Sequence, residues 1–501
     1  MTNDQRVDAR FRVRILDTAA LAGFLIYAMA APHSIAGSWI GISIVVLVWL
    51  IRTIVTRRTG FKQGALDLPL WLFFGWTVLS SLFSIEPRQS IPKLINVATF
   101  LMFYLAQAML NRRTAIAVAI MLIVSASAGV LWGAGELILG RGVIVSELSN
   151  TSSLRVDTPL QAGDVVWRVN GHRVSSGAEI DALIRATPSG QRARLSVISH
   201  GEHVEWPGVL VTDEMRRAPS PSGIVGGGRS HNFRASGWTR HYETFAEVLQ
   251  LIGQLAFAFA VARWRSVSRQ EPSRRMSLPL VLAAAAFLIL AVGIALTAMR
   301  TTLLAFTFGM FVVVWRISAS RKQRLLFAAL GVLILALGLG VVWRTRARGA
   351  LSLQDPSASS RLQVARVAAR RIILHPVLGH GMDAMHEHWT EWGFPGKDML
   401  DAHSTPVQIA FDRGLPGLGL WLWSMYVFWG LAAKTEKKMR TESAAIHGLA
   451  LGIIGALAGF LLSSVVNYNF GDSEVALLLW LMMAIVVVVD KDRQPAATDH
   501  A

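Results

Sequence analysis

The sequence predicts an all-α polytopic membrane protein of about twelve spans that carries a small α/β insert. Three observations lead there. Of the 501 residues, 53% are hydrophobic and only 16% charged, against about 25% charged in an ordinary soluble domain. Apolar runs near the roughly 20 residues that cross a bilayer recur along the chain. Lys and Arg gather in every second loop, the positive-inside pattern. The formal charge of +17 resides in these short clusters without aromatic interleaving, so the expected partner is membrane lipid and not nucleic acid. With no cysteine, disulfides, thiolate metal sites and cysteine nucleophiles are excluded.

In order, the predicted spans are Leu16–Ala31, Ile35–Val55, Leu66–Phe83, Ile91–Leu110, Thr114–Leu139, Phe245–Trp264, Leu278–Thr297, Thr301–Ile317, Leu325–Trp343, Thr405–Ala433, Ala444–Val466 and Val475–Val489. Arg6, Arg10, Arg12 and Arg14 precede the first, and basic clusters follow at Arg57–Lys62, Arg112–Arg113, Arg263–Arg275, Arg316–Arg324, Lys434–Arg440 and Lys491–Arg493. That alternation puts both termini in the cytoplasm. The basic lead and Ala28-Met29-Ala30 mimic a signal peptide, but the apolar run is longer than a typical h-region and reads as a retained span. The organisation is therefore 1–140 (five spans), 141–215 (the insert), 216–343 (a linker and four spans), 344–404 (a large outer loop) and 405–501 (three spans and a tail). Pro219–Ser230, PSPSGIVGGGRS, reads as a flexible linker.

Within the insert, alternation in VVWRV and ARLSVI marks strands, Asn170-Gly171 a hairpin turn, and GAEIDALIRAT a short amphipathic helix. The run PLQAGDVVWRVNGHRVSSGAEIDALI resembles a PDZ domain. The carboxylate-binding loop of that family would fall before Gly142, where this chain has the end of a membrane helix. A small docking or spacer domain, with a possible protein partner, is the expectation.

Polar residues collect on the outer side. Arg300 lies in the turn ALTAMRTT, Arg361 in SASSRLQVARVAARR, and His375 opens HPVLGHGMD; His403, Asp412 and Arg413 lie in DAHSTPVQIAFDRGLPGLGL. Arg234 and Arg240 precede the sixth span. Guanidinium groups bind phosphate oxygens bidentately and stay charged, and a histidine can take a hydroxyl proton near neutral pH. Together these residues suit binding a lipid diphosphate and activating an alcohol to displace it, with no metal or other cofactor needed.

Four of these segments, in order, resemble the O-antigen ligase and polymerase (Wzy-like) family: FRASGWTRHYETFAEVL, ALTAMRTTLLAF, SSRLQVARVAARRIILHPVLGHG and HSTPVQIAFDRGLPGLGL. The resemblance implies a metal-independent glycosyltransferase that uses an undecaprenyl-diphosphate-linked glycan on the periplasmic side. It implies His403 as the base and Arg300 and Arg361 as diphosphate clamps, with Arg234, His375 and Arg413 as substrate-binding candidates. Ser404, Met299 and Thr301 depart from the residues usual in the family at those positions. The acceptor is expected to be the lipid A-core glycolipid, as in a ligase; a glycan chain, as in a Wzy-type polymerase, or a protein hydroxyl, as in an O-oligosaccharyltransferase, are the alternatives.

Simpler readings accompany each residue. His403 also suits a helix-end anchor, Arg300 an interfacial charge snorkelling to headgroups, Arg361 a solvated loop charge, and Asp412 with Arg413 a self-neutralising pair. A metal site in HPVLGHGMDAMHEHWTEW matches no zinc spacing. A transporter or flippase would place ionisable groups near the midplane of repeated, broken helices, and no internal repeat is present.

Overall fold

The computed structural model describes residues 3–149, 154, 160–199, 202–225, 227–239, 241–270, 277–318, 320–326, 329, 331–333, 336, 340, 356–396 and 401–491. In chain order, helices α1 (Asn3–Ala30), α2 (Ile35–Thr56), α3 (Asp67–Leu82), α4 (Pro87–Ser90), α5 (Leu94–Val97), α6 (Leu101–Met109) and α7 (Arg112–Leu139) come first. Strands β1 (Val143–Ile144), β2 (Glu147–Leu148), β3 (Val165–Val169) and β4 (His172–Arg173), helix α8 (Gly177–Ala186), β5 (Arg192–Ser199), β6 (Glu202–Leu210), α9 (Asp213–Arg217) and β7 (Ile224–Val225) follow. The chain continues with α10 (Tyr242–Gln270), α11 (Leu278–Leu296), α12 (Arg300–Ile317), α13 (Pro356–Leu374), α14 (Ala384–Glu387), α15 (Thr405–Met439), α16 (Ala444–Ser464) and α17 (Ser473–Lys491).

Nine helices among the described residues are long and apolar enough to cross a membrane: α1, α2, α7, α10, α11, α12, α15, α16 and α17. The protein is a multi-pass membrane protein. Against the expectation of about twelve spans, two segments differ and a third lies largely outside the described residues. Leu66–Phe83 becomes α3, of 16 residues, and Ile91–Leu110 is divided into α5, a 3-10 turn at Ala98–Phe100 and α6. Pro92 and Asn96 interrupt the apolar run there, and a proline removes a helix donor. Leu325–Trp343 falls largely outside the described residues.

Contacts divide the chain into two compact units, one of Met1–Ala128, Glu243–Ala295 and Met299–Ala501, the other of Gly129–Tyr242 with Leu296–Ala298. In the first unit, α17 is buried from Val475 to Val489, as expected of a helix apolar on every face. Helices α12 and α16 cross closely because glycines face each other. A Cβ on Gly309 would lie 2.5 Å from the Gly455 carbonyl oxygen, and small residues at such crossings let the backbones approach.

The second unit holds an antiparallel sheet in the order β1-β3-β5-β6, with β4 paired to β3. Asn170 (φ 50°) and Gly171 (φ 81°) form the β3–β4 turn, the backbone such two-residue hairpins require. Ser176 caps α8 by accepting from the Glu179 amide. Val166, Ile180, Ile184, Leu195, Val197 and Val209 form its core. Pro219–Ser230 is not a free linker over its described residues. Ile224 and Val225 pair with β2, and Ser230 bridges to Arg141. The exposed backbone donors and acceptors of β2 find partners in this stretch, which glycine content alone does not reveal.

Candidate functional site

Helix α15 is broken at its third turn. Gly414 has φ 69° and ψ 178° inside the helical run, and Pro416 follows. A break inside an apolar span frees backbone groups that lipid cannot satisfy, and the loop from His375 to Asp383 takes them up. The His380 amide donates to the Phe411 carbonyl at 2.8 Å and the Gly381 amide to that of Asp412 at 2.9 Å. The Leu415 amide donates to the Pro376 carbonyl at 2.8 Å. From α3, Trp76 Nε1 donates to the Arg413 carbonyl at 2.8 Å, and Ser80 Oγ lies 2.9 Å from that of Asp412. A Cβ at Gly414 would sit 2.0 Å from the Val377 carbonyl oxygen, and one at Gly379 2.5 Å from the Asp412 carbonyl carbon. Gly379 and Gly414 are the contact surface between the two motifs.

His403 stands just ahead of α15, at φ 45°. This left-handed conformation is uncommon outside glycine, though His, Asp and Asn adopt it more than most. Asp401 secures it: Oδ1 accepts from the His403 amide at 2.7 Å and lies 3.5 Å from the ring Nδ1. Gln408 braces the same corner, accepting from the Ala402 amide at 2.7 Å and donating to Asp412 Oδ1 at 2.8 Å.

Arg361, and close chain neighbours of Arg300 and His403, are tied to one segment, Val466–Asn469, which follows α16. Arg361 Nη1 donates to the Val466 carbonyl at 3.4 Å. Asn467 Nδ2 donates to the hydroxyl of Thr301, next to Arg300, at 3.0 Å. The Thr405 amide, two residues past His403, donates to the Asn467 carbonyl at 3.1 Å. Beneath this segment lies Glu247 of α10, a fully buried carboxylate. It accepts from Thr302 (3.0 Å), Asn467 (3.0 Å), Asn469 (3.3 Å) and Ser463. Buried carboxylates persist when paired or fully hydrogen-bonded. Glu247 therefore fixes α10, α12, α16 and the Asn467 segment together.

Beside Asp401 opens a cavity of about 290 Å³. Asp383, Asp401, Asp412, Asp472, Lys93 and Arg413 contribute its charged wall, while Tyr468 and Trp480 add aromatic surface. Lys93 Nζ pairs with Asp383 at 3.0 Å. Burial pushes the Asp472 carboxyl up to about 7, against the hydroxyl of Thr244 that donates to it at 2.8 Å, and burial likewise raises the Tyr468 phenol.

The other predicted residues fall as follows. Arg413 is 3% exposed, bonded to Thr77 Oγ1 at 3.1 Å and Met382 Sδ at 3.0 Å, and 3.5 Å from Asp412. His375 is exposed at the end of α13, its ring 4.6 Å from that of His380. His380 is buried and stacked on Phe411. Burial first, and then His375, press its pKa down to about 4. Arg234 belongs to the other unit, its guanidinium 4.0 Å over the Tyr242 ring; Arg240 lies outside the described residues. His388 bonds Glu391 and Glu86, and among the described residues no three His, Asp or Glu side chains converge as metal ligands do.

Sequence reasoning passed over Glu247, Asn467, Asn469 and Asp401. Glu247 carried a signal, since an acid within an apolar span is a functional candidate by default. Asn467 and Asn469, in NYNFGD, carried none at the level of one chain, because their partners are remote in sequence.

Comparison with known families then gives one match: the sequence model described as O-Antigen ligase aligns with residues 284–422. The stretch contains Arg300, Arg361, His375, His403 and Arg413, and it supports the family resemblance carried by the motifs. No curated protein matches the chain.

Proposed function

We propose, from the match of residues 284–422 to the O-antigen ligase model, that this membrane protein is an enzyme that moves a glycan from an undecaprenyl diphosphate carrier to an acceptor hydroxyl on the periplasmic face of a bacterial inner membrane. The observation that carries the reading is the attachment of three elements to Val466–Asn469: the Arg300 turn, the Arg361 helix and the His403 corner. Two guanidinium-bearing segments and one imidazole-bearing segment thus share one anchor.

The chemistry follows from the groups. Asp401 faces Nδ1 of His403, which leaves Nε2 to take the proton of the acceptor hydroxyl. The acceptor oxygen bonds to the anomeric carbon as the bond from that carbon to the diphosphate oxygen breaks. The departing undecaprenyl diphosphate keeps the electron pair, and Arg300 and Arg361 meet its charge. Arg300 is the first residue of α12, the end at which the helix dipole favours an anion. The cavity beside Asp401 suits hydroxyls better than phosphate, because carboxylates accept from hydroxyl groups and repel anions. It would take sugar next to the reacting centre. The lipid A-core glycolipid is the acceptor this reading favours. The second unit, PDZ-like in its β3–β4 turn and helix α8, would serve as a docking or spacer module.

Surface-glycan display tests this in cells lacking the native protein and complemented with wild type or His403→Ala at matched membrane levels. Loss of glycan transfer, with undecaprenyl-linked glycan accumulating, is the expected result. Display at wild-type level from His403→Ala would remove the base from the mechanism. Transfer to a lengthening glycan instead of lipid A-core would make the enzyme a polymerase.

A further inference from the structure

A second cavity, of about 560 Å³, lies at the end of the bundle where α10, α12 and α15 finish and α16 begins. Because α15 runs from Thr405, two residues past His403, to Met439, this end is opposite the candidate active site. Arg265, Arg316, Arg440 and His447 line it. Behind them Glu436, fully buried, takes Arg316 at 2.6 Å, Arg440 at 2.8 Å and His447 at 3.1 Å. Arg440 Nη2 also donates to the Arg316 carbonyl at 2.9 Å. Among the described residues the one acid on the wall, Glu442, faces Arg112 at 3.6 Å. Arg316 and Arg440 share the single buried carboxylate of Glu436, so this pair of guanidinium groups keeps a net positive charge in fixed positions.

Helix C-termini favour cations, which accounts for basic residues at these ends. It does not account for a cavity enclosed by them. The depth of the opening comes from two tryptophans: Trp264 and Trp315, the immediate neighbours of Arg265 and Arg316, are 49% and 50% exposed. Exposed tryptophans on apolar helices sit at headgroup level. Arg324 lies 4.5 Å over the Trp315 ring, adding a basic group at the same depth.

We propose that this cavity binds the phosphate of an anionic phospholipid, with Arg265, Arg316 and Arg440 as donors and the tryptophans beside its acyl chains. Basic pockets between helices at a membrane surface recognise headgroups in this way. The site is independent of the transfer chemistry at the other end of the bundle.

The full-length protein in nanodiscs tests it, comparing phosphatidylcholine alone with phosphatidylcholine containing phosphatidylglycerol. Thermal unfolding and native mass spectrometry of retained lipid are the readouts. Wild type is expected to unfold at higher temperature with phosphatidylglycerol and to retain it. Arg265→Gln and Arg440→Gln should each cut retention about tenfold, the loss of one charge-assisted contact. Equal unfolding temperature and retention in both lipids would overturn the proposal, as would wild-type retention by Arg265→Gln. An equal stabilisation of detergent-solubilised protein by inorganic phosphate would overturn the lipid assignment in favour of a soluble anion. Should Arg440→Gln fail to fold, the wild-type and Arg265→Gln arms decide the matter.

Discussion

The Leu415 amide donates to the Pro376 carbonyl at 2.8 Å, a bond that joins the two glycine-bearing motifs across the break in α15. Both motifs are needed for the break to exist. Gly414→Ala places a Cβ 2.0 Å from a backbone oxygen at φ 69°, so it should cost about 3 kcal/mol or more. The expected outcome is a large fall in unfolding temperature in detergent with transfer lost; a variant as stable as wild type would mean the loop does not hold the break.

Under the proposed mechanism, Asp401, which accepts from the His403 amide and faces its Nδ1, would orient the imidazole as a positioning residue. Asp401→Asn keeps an oxygen for the His403 amide but weakens the hold on Nδ1. Misplacement of a catalytic group by about 1 Å can cost about 100-fold, and a fall of about ten- to 100-fold in kcat with donor KM little changed is expected. Steady-state kinetics with purified protein would check it. A change confined to KM would make Asp401 a binding residue.

Glu247 should matter more for its shape as an acceptor than for its charge. Glu247→Leu removes the acceptor of the Thr302 and Ser463 hydroxyls and one acceptor each of Asn467 and Asn469, and each buried group left unsatisfied costs about 1–3 kcal/mol. Glu247→Gln keeps one acceptor oxygen and should recover part of the loss. Unfolding temperatures and transfer rates of both variants should fall in the order wild type, Gln, Leu. Equal behaviour of Gln and Leu would show that the network does not depend on an acceptor there.

His380 sets a pH dependence with a definite sign. Its pKa, ordinarily 6.5, is pressed to about 4 in the folded protein. Above about pH 6.5 both states hold it neutral and it contributes no slope. Between 6.5 and 4 the unfolded chain takes up a proton that the folded state does not, so stability declines as pH falls, by at most about 1.4 kcal/mol per pH unit. Asp472, raised to about 7, slopes the opposite way across much of that range. The test is therefore the difference between wild type and His380→Phe, measured by unfolding at pH 7.5 and pH 5. The variant should gain on wild type at the lower pH, and a constant gap would exclude His380 as the source.

Some of this was legible in one dimension. Hydropathy gave most of the long helices because a bilayer imposes a length and a composition on whatever crosses it. Asn170-Gly171 announced its hairpin because few residues adopt that backbone. HPVLGHG and DRGLPG were visible as motifs, but not as partners, since nothing local states that Gly379 abuts Asp412. Arg413, read as a substrate contact, lines the cavity beside Asp401 and is held there by Thr77, Met382 and Asp412, partners that no local pattern states. The α3 and α5–α6 segments look like spans by composition, and only the backbone reveals where a proline or a polar side chain shortens them.

The sequence by itself determined a multi-pass helical membrane protein, an inserted strand-rich unit, and the residue types that a diphosphate-displacing site needs. Those follow from periodicity, length and side-chain chemistry, which are local. Only the tertiary structure decided that Val466–Asn469 ties the Arg300, Arg361 and His403 elements together, that Glu247 secures this segment, and that Asp401 faces the imidazole. Each is a hydrogen bond or close approach between residues remote in the chain or set by a turn's exact backbone, and packing decides which of many polar groups meet.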